Sequence, residues 1–280
     1  KWNERAKQNA AKGVGWSPGK LVRFDGSYVK EGGQETVIRL APMNYFLYHG
    51  ISGSLDQEGD LFNDQFLPYD YEINDGILIP KIPNAEVLSP AFALEAMLET
   101  RDGKLIHFFR DKTDQYPGAR NLASGGRISG NPEKFLQDVV NEQKVGFYRH
   151  AAQMIANELP GLDVERVQDI RWLGFNRATN LMNVAGMIFA RLDEVADNLK
   201  PLQPKYKCIE ATSSDSDGLV YLLTKLESFT PEVAPSIPLF AALRGVNPID
   251  VRRDLITSVY DRTTPIYTNP TITDFSYQHG

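Results

Sequence analysis

Ala151-Ala152-Gln153-Met154-Ile155-Ala156-Asn157-Glu158-Leu159-Pro160-Gly161-Leu162 is the stretch on which the fold turns. With Phe147 just before it, the apolar residues Ala151, Ala152, Ile155 and Leu159 recur at the three- and four-residue spacing that lines one face of an α-helix. Pro160-Gly161 supplies the stop, so a helix is predicted from about Phe147 to Leu159. Immediately upstream, residues 132–145 open on a proline at a favoured first helical position. They carry Phe135, Leu136, Val139 and Val140 at the same period, predicting a second helix.

Working outward, two apolar runs, Ala91–Thr100 and Leu105–Arg110, flank Asp102-Gly103, the favoured pair for a two-residue hairpin turn. Tyr116-Pro117-Gly118 and Gly125-Gly126 read as turns. Thr36–Tyr48, Val167–Leu173 and Met182–Arg191 read as strands, and Pro42 splits or edges the first of them. Helices are predicted over Asp193–Leu199, Asp215–Leu226 and Ile237–Arg244, the middle one opening on acids and serines that suit exposed N–H groups. Residues 50–90, rich in Gly, Pro and acids, read as loop, residues 1–20 as a short helix and loop, and the tail after Asp261 as extended. Strands and helices mix without strict βαβ alternation, so the expected class is α+β, or a sandwich of helices around a mixed sheet.

Composition narrows the function classes. Thirty Lys and Arg against thirty-six Asp and Glu leave a net charge of −6 with no basic cluster, which argues against duplex nucleic acid as partner. The apolar runs around Ala185–Ala190 and Leu219–Leu223 are far shorter than the ~20 residues of a membrane-spanning helix. Cys208 has no second cysteine with which to form a disulfide or a thiolate-rich metal site. Gly13–Lys20 imitates a phosphate loop but has the wrong glycine spacing and Leu21 where a hydroxyl residue belongs. The chain opens on Lys1 instead of methionine, which predicts a processed or trimmed chain. No apolar segment with a small-residue cleavage site follows, so the expected location is cytoplasmic.

The order of these features, a hairpin ending in Arg110, Tyr116-Pro117-Gly118, Gly125-Gly126-Arg127-Ile128, then Ala151–Leu162, resembles the Nudix hydrolase superfamily. Trp172-Leu173-Gly174-Phe175, Met182–Arg191 and Phe229-Thr230-Pro231-Glu232 continue the likeness. It implies a Nudix-like α/β/α sandwich over residues 91–245, an N-terminal extension over 1–90 and a C-terminal tail over 246–280. It also implies a nucleotide-like small-molecule ligand, with Mg²⁺ or Mn²⁺ on helical carboxylates activating water against a diphosphate; a protein partner is a further option. Several oxygen ligands on one helix face offset a hard cation's dehydration and hold it against phosphate oxygens.

The signature that carries those carboxylates is eroded. With Gly161-Leu162 aligned to its end, Met154 falls at its arginine and Ile155, Glu158 and Leu159 at its glutamates, so Glu158 alone survives. Gly126 and Gly161 lie 35 positions apart, about fourteen more than the signature spaces its glycines. Glu158 is therefore either a residual metal ligand and catalytic carboxylate or a plain acid near a helix end. His150, at i−8, shares its face and is either an acid–base partner or a surface histidine. Glu133 and Glu142 on the inserted helix are substitute metal ligands or solvated acids, as is Asp138. Arg110, Arg127 and Arg177, with Gly125 and Gly126, fall where the resemblance puts the ligand pocket, the arginines being either diphosphate or carboxylate donors or ordinary surface residues, and Glu210 is kept because the resemblance brings its loop near that region. Two functions follow as alternatives. One is a binding module for a nucleoside-diphosphate-type ligand in which hydrolysis is weak or lost; the other is a divergent metal-dependent hydrolase of a phosphoanhydride.

Overall fold

The computed structural model describes residues 20–29, 36–44, 71–74, 77–80, 91–111, 116–125, 132–178, 183–202, 205–230, 233–251 and 272–277. The strands are β1 (Lys20–Val29), β2 (Thr36–Asn44), β3 (Tyr71–Asn74), β4 (Ile77–Pro80), β5 (Ala91–Thr100), β6 (Lys104–Arg110), β7 (Arg120–Asn121), β8 (Ala123–Gly125), β9 (Val167–Ala178), β10 (Asn183–Leu192), β11 (Tyr206–Ser213) and β12 (Ile272–Tyr277). The helices are α1 (Pro132–Glu142), α2 (Lys144–Glu158), α3 (Ser216–Leu223), α4 (Ser236–Leu243) and α5 (Pro248–Val251). Single 3₁₀ turns occupy Val164–Arg166, Ala196–Asn198 and Leu226–Ser228.

Ten strands form one mixed sheet, and β3 with β4 forms a separate hairpin. β5 is the hub. Along one side it meets β1, β8 and β6 in turn, all antiparallel, and on the other it runs parallel to β10 from Ala91↔Asn183 to Thr100↔Leu192. β9 lies antiparallel on the far side of β10, β11 lies antiparallel on β6, and β1 continues to β2 and β12.

Every residue of β5 is buried, the mark of a strand covered on both faces. Phe92, Leu94, Ala96 and Leu98 point to one face, where they join Phe135, Leu136 and Val139 of α1 and Phe147, Ala151, Ile155 and Leu159 of α2. Met97 points to the other face, with Leu219, Leu222 and Leu223 of α3 and Ile237, Phe240 and Ala241 of α4. Helices thus cover both faces of a mixed sheet, the expected α+β arrangement. Among the described residues, no helix is long and apolar enough to cross a membrane.

Several local expectations differ from the structure. The 91–110 hairpin turns through three residues: Gly103 takes φ +70°, its N–H donates to Thr100 O at 2.9 Å, and the Thr100 hydroxyl bonds both N–H and C=O of Lys104. A left-handed glycine closing a three-residue loop replaces the tighter two-residue turn. Asp193–Leu199 is not a helix beyond the single turn Ala196–Asn198, because Glu194 Oε1 accepts from the Val195 N–H and the Asn198 amide, competing with helical bonding. Within the 50–90 stretch read as loop, β3 and β4 pair from Tyr71↔Pro80 to Asn74↔Ile77. The sequence reading of residues 1–19 lies outside the described residues.

Candidate functional site

α2 positions the region on which the chemistry was expected. Its apolar stripe is fixed against the sheet, with Ile155 and Leu159 fully buried, so these two positions serve the core. Glu158, the last helical residue, is buried, and both its carboxylate oxygens accept from Lys205 Nζ, at 2.7 and 2.8 Å. Lys205 also stands 4.8 Å from the centre of the Tyr206 ring, a cation–π distance. Leu202 N–H donates to the Glu158 carbonyl at 3.2 Å, and Asp111 N–H donates to the Lys205 carbonyl at 3.3 Å. The end of α2, the entry to β11 and the end of β6, where Arg110 stands, therefore converge on the Glu158–Lys205 pair.

This donor set does not fit a hard divalent cation. Such a cation takes six or more oxygens, whereas among the described residues the Glu158 carboxylate is filled by an ammonium and its helical neighbours Ile155 and Leu159 are hydrocarbon. No group of three or more His, Cys, Asp or Glu side chains suited to a metal ion occurs among the described residues.

α1 closes on α2 through other residues. His150 Nε2 donates to Asp138 Oδ2 at 2.8 Å and packs edge-on to Phe135. Arg149 pairs with Glu142, Nη1 donating to Oε1 at 3.1 Å. Gly146 permits the close approach: a Cβ there would stand 2.3 Å from Asp138 O. His150 and Glu158 are eight residues apart, ~12 Å along the helix axis, and each has its own partner. The structure thus ties His150 and Glu142 to the α1–α2 junction and Glu158 to Lys205; Glu133 is exposed in the first turn of α1.

Of the expected ligand-pocket residues, Arg110 ends β6, its N–H bonded to Ala119 O and its carbonyl accepting from Gly118 N–H. Gly125 pairs with Leu94 on β5, and Arg177 pairs through its backbone with Val184. Leu94, Gly186 and Phe175 continue the row from Gly125, so two strands, β5 and β10, separate β8 from β9. Gly126 and Arg127 lie outside the described residues.

Of two further polar clusters, the sequence pointed to one member, Glu210, which lies on β11 and not in a loop, and missed its partners and the whole of the second. On the α3/α4 face, buried His107 and partly exposed Arg120 share one carboxylate oxygen: His107 Nε2 lies 3.1 Å, and Arg120 Nε 2.7 Å, from Glu210 Oε2. Burial pushes the His107 imidazole below its ordinary value, and the nearby Arg120 charge adds to this, while Glu210 pulls it up. Further along the sheet, Glu99 is 4% exposed in an apolar strand, its Oε2 accepting from Arg191 Nε at 3.0 Å and its Oε1 from Arg244 Nη2 at 2.7 Å. Burial alone would raise the Glu99 pKa, but the Ser214 hydroxyl and the two guanidiniums hold it below the usual value, so it stays ionised. The available signal was two acids, Glu95 and Glu99, inside an otherwise largely apolar run, where a buried acid demands a partner.

No protein-family model matches the chain, and no curated protein matches it. Its fold is similar to that of DR0079 from Deinococcus radiodurans, at 15% identity and TM-score 0.37, over 60% of this chain and 95% of that one. It is also similar to the MutT protein from Methanosarcina mazei, at 15% identity and TM-score 0.36, over 54% of this chain and 93% of the other. A third similar structure is the Nudix domain of Shewanella oneidensis NrtR complexed with ADP-ribose, at 14% identity and TM-score 0.35, over 55% and 88% of the two chains.

Proposed function

We propose that this chain is a binding module on a Nudix-like fold, taking a nucleoside-diphosphate-type ligand, in which metal-dependent hydrolysis through α2 is weak or lost. The observation that carries the second half is the Glu158–Lys205 pair: a built-in ammonium neutralises the carboxylate that Mg²⁺ or Mn²⁺ would need. The ligand class rests on the sequence resemblance, and Arg110, Arg127 and Arg177 with Gly125 and Gly126 are the residues proposed to line the pocket, arginine forks suiting a diphosphate. In this reading residues 91–245 form the Nudix-like unit. The flanking segments 1–90 and 246–280 add β1, β2 and β12 to its sheet, and the location is cytoplasmic.

The test uses the full chain. ADP-ribose is titrated calorimetrically with and without Mg²⁺ or Mn²⁺, and release of nucleoside monophosphate from ADP-ribose, NADH and dinucleoside polyphosphates is followed. Binding of at least one of these compounds without metal-dependent turnover is expected. Metal-dependent turnover abolished by Glu158→Gln would replace this reading with the alternative, a divergent phosphoanhydride hydrolase.

A further inference from the structure

β5 and β10 run parallel in exact register at their ends, so Glu99↔Arg191 and Thr100↔Leu192 are direct cross-strand pairs. Just beyond these pairs lies a cleft of about 410 Å³, lined by Glu99, Thr100 and Arg101 from the end of β5, Arg191 and Asp193 from the end of β10, and Gln168 from the start of β9. That volume lies in the range of small-molecule sites, roughly 300–1,000 Å³.

The wall charges are not equivalent. Glu99 is buried and both its oxygens are engaged, one by Arg191 and the other by Arg244, which reaches it from the end of α4 and stacks on Phe240. Asp193 faces Arg101 Nη1 at 3.4 Å, and its carbonyl accepts from Arg166. Arg191 and Arg101 are 55% and 59% accessible, whereas Glu99 is 5% accessible and Asp193, at 46%, shares the rim with them. Among the described residues Arg191 pairs through Nε with Glu99, a bond that orients the guanidinium of a side chain lining the cleft.

We infer that this cleft is an oxyanion-binding site, taking the phosphoryl or carboxylate group of a small molecule between Arg191 and Arg101, with Glu99 as the buried residue that positions Arg191. Glu99 acts through Arg191 and does not touch the ligand. Arg191 stands on β10 and Arg101 in the turn that follows β5, so both donors start from the same end of the parallel pair. This site goes beyond the nucleotide reading and does not depend on it.

Calorimetric titration of the full chain with inorganic diphosphate and, separately, with malonate at low ionic strength tests it. Binding of either probe is expected, with the tighter one assigning the phosphoryl or the carboxylate class. Arg191→Gln should weaken that probe about tenfold, the loss of one or two charge-assisted hydrogen bonds. Arg191→Lys, which keeps the charge and loses the fork, should fall between. Lys104→Gln, on the same hairpin but off the cleft wall, should change affinity less than threefold. Arg101→Gln carries the same expectation as Arg191→Gln, and its exposed side chain keeps the test valid should Arg191→Gln lower the melting temperature. Absence of binding by both probes, or equal weakening by Lys104→Gln, overturns the inference. ADP-ribose binding unaffected by Arg191→Gln separates this site from the proposed nucleotide pocket.

Discussion

Lys205 fills both oxygens of Glu158 with one ammonium, at 2.7 and 2.8 Å, and so joins the end of α2 to the start of β11. The carboxylate is buried while the lysine is about one-third exposed, so removing the cation strands a desolvated charge. Lys205→Met is expected to destabilise the fold by about 2 kcal/mol, below the ~3–5 kcal/mol of fully buried pairs because Lys205 still reaches water. Adding Glu158→Gln to it should recover part of the loss. Urea unfolding with unchanged slope measures both, and coincident midpoints for wild type and Lys205→Met would refute the role assigned to the pair.

The α1–α2 junction depends on a missing side chain. Gly146 faces the backbone of Asp138, where an added Cβ would meet carbonyl O at 2.3 Å and C at 2.6 Å, distances that backbone must yield to accommodate. Gly146→Ala is therefore expected to cost about 1–3 kcal/mol despite alanine's better helix propensity. It should also disturb the His150–Asp138 bond, visible as a changed His150 imidazole signal in NMR. A variant as stable as wild type would show that the two helices do not pack this closely.

The elements that were legible in the sequence are those whose own pattern carries the information. The apolar stripe from Phe147 to Leu159, the Asp-Gly pair of the 91–110 hairpin and the strands β9 and β10 announce themselves locally, as does Asp215, whose Oδ1 caps α3 by accepting from Gly218 N–H. β11 was missed because Lys207 and Glu210 interrupt its apolar residues; it is held by β6, about a hundred residues earlier in the chain. β4 hides in a proline-rich stretch, although the sequence between it and β3 reads Asp75-Gly76, the same dipeptide as Asp102-Gly103. At the site, sequence alignment isolated Glu158 but had no means of finding Lys205, 47 residues on, because the pairing is made by the sheet and not by any periodicity.

His107 offers a titration with a defined sign. Glu210 Oε2 can only accept, so the neutral imidazole carries its proton on Nε2, a tautomer that nitrogen chemical shifts identify. Because burial favours the neutral ring, its titration should fall below 6.5. The unfolded chain then binds more protons than the folded one in the window beneath 6.5, and stability contributed by His107 rises with pH through it and is complete above it. Glu210→Gln removes the one attraction that favours the charged ring and should lower the His107 value further; Arg120→Gln should raise it. Movement in the opposite directions would exclude the shared-carboxylate geometry.

Asp102 carries the acid-side counterpart. Its side chain bonds Thr100, faces Lys104 Nζ at 3.1 Å and accepts from Ala196 N–H at 3.1 Å, tying the β5–β6 turn to the segment after β10. These bonds, the Thr100 contact foremost, lower its pKa from 3.8 to about 2. A carboxylate depressed on folding contributes stability that is complete above the unfolded value and disappears as pH falls through the folded one, so the window runs from about pH 4 down to about pH 2. Lys104 is exposed enough for salt to screen its share, whereas the Ala196 and Thr100 bonds are short-ranged and persist. In Asp102→Asn the amide oxygen keeps the Ala196 bond without the proton linkage. Thermal melts of wild type should therefore fall more steeply than those of Asp102→Asn between pH 4 and pH 2, with the difference surviving 0.5 M salt, a concentration of roughly 4 Å screening length. Parallel curves for the two proteins would mean that Asp102 titrates in the folded state as it does in the unfolded one.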